Sequence, residues 1–187
     1  MGLNRQEISW LLAAFREGRI SEDAVISRLQ PLVPPSASSA EGTVDLRVSL
    51  DQFRAAEVSG AETLRRWALV AADPVLVGGL RVAAARESQH ASLLEQRLRE
   101  LGGEPSAEIP SWLRELNSRI ADPAARDTDR LSAIVEYLPD SDRGAMPVHE
   151  LVESACDDLT AELLRNICAD DLITTRWLHE AYRARRG

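Results

Sequence analysis

The feature that most limits how this chain can fold is a short break, Asp73-Pro74, between two long segments of helical pattern. Apolar and small residues recur at spacings of three and four over residues 45–72, which predicts an amphipathic helix. Asp is a favourable N-cap and Pro fits the first helical turn, so a second helix is predicted over residues 74–101, where a Gly-Gly pair ends it. Two helices joined by so short a connection must pack against each other in antiparallel orientation.

The rest of the chain also favours helix. Among the 187 residues Ala, Leu, Arg and Glu are abundant and only 4% are aromatic, a balance that favours helix over strand. Prolines divide residues 104–147 into short pieces, of which "DRLSAIVEYL" is predicted to be helical and "PDSDRGAMP" to be a loop. A last helix is predicted over residues 148–185, with a restart at Asp157-Asp158.

The first 40 residues differ in pattern from the rest. Two amphipathic segments within residues 1–32 predict a small helical hairpin, and "PLVPPSASSAEG" predicts a Pro/Ser-rich linker. We therefore divide the chain into an N-terminal hairpin with its linker, residues 1–40, and a helical domain, residues 41–187. A hairpin of this size cannot bury a core alone, so we expect it to pack on its neighbour or on a partner.

Charge and cysteine content argue against several classes of function. A net charge of −8 does not suit a general nucleic-acid binder, which needs a surplus of Lys and Arg. No segment approaches the roughly 20 apolar residues of a membrane span, and "MGLNRQEISW" lacks the apolar core of a signal peptide. Cys156 and Cys168 are too few for a disulfide framework or a zinc site. We expect a cytoplasmic protein without a nucleic-acid or membrane partner.

A carboxylate and an imidazole lie on the apolar stripe of the second predicted helix. Glu87 and His90 stand three residues apart, so both face one side and can reach one ion. Glu57 lies on the stripe of the first helix, with the small Gly60 beside it, whereas Glu62 points off the stripe. Burying acids without a partner is costly, so these groups require a metal ion, a proton or an arginine.

The second half of the chain repeats part of the first. Residues 71–94 align without a gap on residues 155–178 at a shift of 84, and several identical residues coincide. In this register Glu87 falls on Asp171, a second acid on an apolar stripe, whereas His90 falls on Thr174. The repeat indicates two pseudo-equivalent helical hairpins.

A Glu on one helix, a Glu-x-x-His on the next and a weaker copy downstream resemble the ferritin-like fold, which includes rubrerythrin-type and other di-iron carboxylate proteins. The resemblance covers roughly residues 45–185, and "ESQHASLLEQRLRELGG" is its most family-like stretch. It implies an all-α fold, a ferritin-like four-helix bundle with the N-terminal hairpin as a small appendage. It also implies an iron or manganese site and a homo-oligomer that forms through helix faces.

The sequence departs from the family pattern in its second half. Thr174 stands where a second His is expected, and a hydroxyl is a poor ligand for iron or manganese. The shift of 84 places Ser141 where the carboxylate of the third helix is expected, which leaves Glu136 and Glu153 as candidate replacements. The candidate metal ligands are therefore Glu57, Glu87, His90 and Asp171.

Two interpretations of this ligand set remain open. The first is a metal-binding ferritin-like protein, an iron- or manganese-dependent oxidoreductase if open coordination positions admit dioxygen or peroxide. The second is a metal-free ferritin-like module that acts in protein–protein association, with Glu87 and His90 hydrogen-bonded to each other or to Arg81 or Arg86. The two other histidines, His149 and His179, fall towards helix ends and are expected on the surface in either case.

Overall fold

The computed structural model of the protein describes residues 46–138, 152 and 157–186. The described residues include five helices: α1 (Leu46–Val70), α2 (Pro74–Glu100), α3 (Ser111–Ala121), α4 (Asp127–Tyr137) and α5 (Asp158–Arg186). No strand occurs among the described residues, so the predicted all-α class is confirmed for them. None of the described helices combines the length and apolar content that crossing a bilayer requires. The predicted N-terminal hairpin, its linker and the predicted loop of residues 139–147 lie outside the described residues.

The break between α1 and α2 has the predicted capping chemistry. The Asp73 side chain accepts a hydrogen bond of 2.9 Å from the Val75 backbone N–H, and proline occupies the first turn of α2. At the other end Gly102 adopts a φ of 78°, and the Gly103 N–H donates to the Leu98 carbonyl at 2.9 Å. A residue in left-handed conformation with this bond ends helices in the Schellman motif. Both predicted helices and both predicted ends are confirmed.

The proline-rich region folds as two short helices. Both α3 and α4 have 11 residues, whereas α1, α2 and α5 have 25, 27 and 29. Pro110 directly precedes α3, and Pro123 lies in the connection between α3 and α4. Proline lacks the N–H that a helix interior needs, so it interrupts what would otherwise be a third long helix. The predicted fragmentation is confirmed as far as Leu138.

A buried arginine fixes the corner between α3 and α4. The Arg130 guanidinium is buried and donates hydrogen bonds to the carbonyls of Ile120 and Asp122, at 2.9 and 2.5 Å. It also pairs with Asp127 at 3.1 Å, and that carboxylate accepts a 2.8 Å bond from the Trp67 indole of α1. Because a buried charge must be paired, this network holds the two short helices at a defined place on α1.

The contacts between helices form a closed ring. Helix α1 packs against α2 and α3, and α5 packs against α2 and α4. Because α3 also contacts α4, the two short helices together occupy one side of the ring. Helix α5 begins where a restart was predicted, and the Asp157 side chain caps it by accepting from the Thr160 N–H at 2.9 Å.

The buried side chains form two apolar clusters with a polar layer between them. The larger cluster surrounds Trp67, and the smaller one surrounds Phe53. The larger consists of Leu64, Trp67, Ala68, Leu76, Leu80, Ala83, Ala84, Ile120, Leu131, Ile134, Leu178 and Ala181. The smaller consists of Leu50, Phe53, Leu94, Leu164 and Ile167. Along α1, α2 and α5 the candidate ligands lie between the residues of these two clusters.

Candidate metal centre

Three long helices bring an imidazole and two carboxylates together in the polar layer. The Nδ1 atom of His90, on α2, lies 3.2 Å from Glu57 Oε2 on α1 and 3.5 Å from Asp171 Oδ1 on α5. One ligand atom from each residue lies within 4.8 Å of the others, a spacing that suits one metal ion. Three of the four predicted ligands therefore lie close together. In the sequence, Glu57 precedes His90 by 33 residues and Asp171 follows it by 81.

A further acid, Asp170, contacts the opposite side of the imidazole. Its Oδ2 atom lies 3.3 Å from His90 Nε2. In a neutral imidazole one nitrogen carries the proton and the other has a free lone pair. With Nε2–H donating to Asp170, the lone pair of Nδ1 faces Glu57 and Asp171, which is the orientation that a metal ligand needs. The spacing of apolar residues along α5 did not predict a role for Asp170.

The acids determine the protonation of His90 when no metal is bound. Burial alone would lower the pKa of His90, but hydrogen bonds to Asp171 and Glu57 outweigh it and raise that pKa to about 10. Burial also raises the pKa of Glu57 from 4.5 to about 7, against the opposing hydrogen bond from His90. The pKa of Asp171 is raised by burial as well. Without a metal ion, the centre therefore holds protons that the same groups would release in water.

Glu87 lies beside the cluster without a hydrogen bond of its own. Its carboxylate rests against Gly60, where an added β-carbon would overlap it. Among the described residues none donates a hydrogen bond to this carboxylate or forms an ion pair with it. Burial, together with the nearby Glu57 and Asp171 carboxylates, raises the pKa of Glu87 well above 4.5. The absence of a side chain at Gly60 is therefore what allows the Glu87 carboxylate to lie against α1.

The other candidate acids lie away from the centre. Glu62 is exposed and pairs with Arg66 at 3.9 Å, as its position off the stripe predicted. Glu136 is 64% exposed and pairs with Arg119 at 3.7 Å, so it does not replace the missing carboxylate. Glu153 lies outside the described residues.

Two further expectations about polar side chains need correction. His90 pairs with acids of α1 and α5, and neither it nor Glu87 bonds to Arg81 or Arg86 within the described part of the chain. The expectation that His179 lies on the surface is wrong. It is buried, and its Nε2 lies 2.7 Å from the carbonyl of Leu138, the residue that follows α4. His149 lies outside the described residues.

A pocket adjoins the centre on the side of the short helices. Its volume is about 160 Å³, and its walls come from α1, α2, α3, α4 and α5. Glu57, Glu87 and Asp171 line it at one end, and Thr174 lies beside them. The position predicted to lack a second histidine therefore leaves open space next to the acids.

Comparison with models of known protein families gives no match for this chain. Searches among curated proteins and among solved structures find no similar protein either.

Proposed function

We propose that the protein binds one Fe(II) or Mn(II) ion between Glu57, Glu87, His90 and Asp171. The observation that carries this proposal is the Glu87 carboxylate. It is half-buried, it has no hydrogen bond from a described residue, and it lies next to a cluster of three other ligand-type side chains. Carboxylates that crowd together with little solvation disfavour one another's ionised form, and coordination of a cation removes that cost.

The chemistry of the donors fits these two metals. Carboxylate oxygens with one imidazole nitrogen suit iron and manganese, whereas no described residue adds to the cluster a thiolate of the kind that softer metals prefer. When bound, iron would supply one-electron redox chemistry, which is the basis for proposing an oxidoreductase. The protein would hold His90 through Asp170 and exclude water with the apolar clusters on either side. A reducing cytoplasm would keep iron in the Fe(II) state.

A ferritin-like arrangement is proposed for the same domain. The ring of helices supports it, since three long helices surround the candidate ligands and α3 with α4 stand where a fourth would be. The two short helices add no carboxylate or histidine to the cluster in the described part of the chain. This is why we propose a site for one ion rather than two.

Metal titration tests the proposal directly. Anaerobic addition of Fe(II), or of Mn(II) followed by electron paramagnetic resonance, is expected to give one bound ion per chain. His90→Ala should abolish this binding, because it removes the nitrogen donor from the four proposed ligands. His179→Ala is the control, since it removes another buried histidine that is bonded to a backbone carbonyl. Absence of stoichiometric binding in the wild type, or equal binding in both variants, contradicts the proposal.

A pair of glycine variants tests the position of Glu87. Gly60→Ala should weaken metal binding about tenfold or more, because the new methyl group displaces the Glu87 carboxylate. Gly78→Ala should leave the affinity unchanged, since a β-carbon there meets no atom within 4 Å. Both substitutions add the same group to a helix interior, so a difference between them reports the site rather than helix propensity. Equal affinities, measured by Mn(II) titration, would exclude Glu87 as a ligand.

A metal-free module that acts by protein–protein association is the second candidate. One observation favours it: His90 lies 3.2–3.5 Å from Glu57, Asp170 and Asp171, so its protonated form would satisfy much of the polar layer without an ion. Association between copies would use exposed apolar side chains such as Leu69 and Val75, which are 81% and 76% exposed. Stable dimers without metal in sedimentation experiments would favour this candidate.

A further inference from the structure

The pocket beside the candidate metal centre has mostly apolar walls. It is lined by Phe53, Ala56, Leu64, Trp112, Leu113, Leu116, Ile120, Ile134, Tyr137, Leu138 and Leu178, besides its polar residues. An apolar cavity of about 150 Å³ is known to hold one benzene molecule, so the 160 Å³ of this pocket accommodates a ligand of about one ring.

An aromatic pair marks the outer part of the pocket. The rings of Trp112 and Tyr137 are stacked, with centroids 4.8 Å apart and an angle of 23° between their planes. Trp112 is 43% exposed, whereas Tyr137 is partly buried, and burial raises the pKa of Tyr137 to about 12. Because Trp112 both lines the pocket and is partly exposed, this is the side from which a small ligand would enter.

The inner end of the pocket has the opposite character. Glu57, Glu87 and Asp171 line it, and no arginine or lysine is among the lining residues that the structure describes. An anionic group at this end would lose its solvation without meeting a cationic side chain among these lining residues, which is unfavourable. The pocket therefore discriminates against anions while its walls favour hydrocarbon.

We propose that this pocket binds a neutral apolar molecule of about one ring in size, with one end against the acids of the metal centre. Binding itself requires only the pocket. The assignment of this ligand as the substrate of the metal centre rests on the function proposed above, because only a bound metal would supply the chemistry.

Calorimetric titration with toluene tests the proposal, with benzoate as the anionic probe of similar shape. In EDTA the wild type should bind one toluene per chain, and benzoate should show no saturable binding. Thr174→Phe places a ring in the pocket and should abolish toluene binding. Ile173→Phe is the matched control, because the neighbouring Ile173 is 50% exposed and does not line the pocket. Ala56→Leu fills the pocket from α1 and provides a second test if Thr174→Phe does not fold.

The outcomes separate the pocket from the metal. Toluene binding that both filling variants abolish and Ile173→Phe retains supports the proposal. The proposal is overturned if toluene shows no saturable binding to the wild type, or if neither filling variant weakens that binding. Equal binding of benzoate and toluene would overturn the proposed preference for a neutral ligand. Thr174→Phe keeps all four proposed ligands, so Mn(II) should still bind to it. Toluene binding without Mn(II) binding would leave the pocket assignment in place and reject the metal proposal, and the reverse result would reject the pocket alone.

Discussion

Addition of Mn(II), or of Fe(II) under anaerobic conditions, is expected to raise the melting temperature of the wild type by about 5–10 °C. A ligand that binds only the folded state stabilises it by about 2.7 kcal/mol at one hundred times its dissociation constant, which corresponds to a shift of this size for a chain of this length. The Glu87→Gln/His90→Gln double variant should show no shift. It keeps the size and polarity of both side chains but removes the charge of one ligand and the nitrogen of the other.

A second double variant provides the control for this experiment. Glu62→Gln/His179→Gln makes the same two substitutions on α1 and α5, at an exposed acid and at a histidine away from the centre. We expect it to retain the full metal-dependent shift. Each variant is compared with itself in EDTA by thermal circular dichroism, so differences in the stability of the apoproteins do not enter. Equal shifts in all three proteins would assign the metal effect to some other site.

The hairpin of α1 and α2 could be predicted from the sequence because its determinants are local. Asp73 caps the helix that follows it, and Gly102 adopts the left-handed conformation that ends that helix. The meeting of Glu57 with His90 follows from the same information. Once two stripes and an antiparallel connection are known, residues at similar distances from the turn must face each other.

The role of Asp170 could not be predicted in this way. Consecutive residues of a helix point about 100° apart, so a stripe pattern selects Asp171 and rejects its neighbour. Asp170 nevertheless contacts the centre, because the two nitrogens of the His90 imidazole point in different directions and each reaches one of the two acids. Only the rotation of α5 relative to α2 determines that arrangement, and this rotation is a property of the packed structure.

The burial of His179 and the pocket have a similar origin. His179 is buried where the Leu138 carbonyl, at the end of α4, contacts it, and no periodicity in either helix encodes this contact between them. The pocket is lined by both short helices, α3 and α4, together with the three long ones. Prolines predicted the interruption between the short helices, but not the hydrogen bonds by which Arg130 of α4 holds the end of α3.

In EDTA, the free energy of unfolding of the wild type is expected to fall as the pH rises from about 5 to 8. The pKa of Glu57 is about 7 in the folded chain, against 4.5 for a glutamate in water. Between pH 4.5 and 7 the folded state therefore holds a proton that the unfolded state has lost. Stability then decreases with pH, by on the order of 3 kcal/mol for a rise of this size. The raised pKa of His90 acts in the same direction. The stability that it contributes is fully present below pH 6.5 and is lost as the pH rises towards 10.

Metal should reverse this dependence, because a divalent ion competes with the protons of the same groups. The metal-dependent rise in melting temperature is therefore expected to be smallest near pH 5 and to grow towards pH 8. Urea unfolding at several pH values, with EDTA or Mn(II), measures both trends, and Glu57→Gln should flatten the slope in EDTA. Carboxyl groups with a lowered pKa, such as Asp51, titrate below 3.8 and do not contribute in this range. A stability in EDTA that stays constant or rises from pH 5 to 8 would show that the centre does not hold these protons.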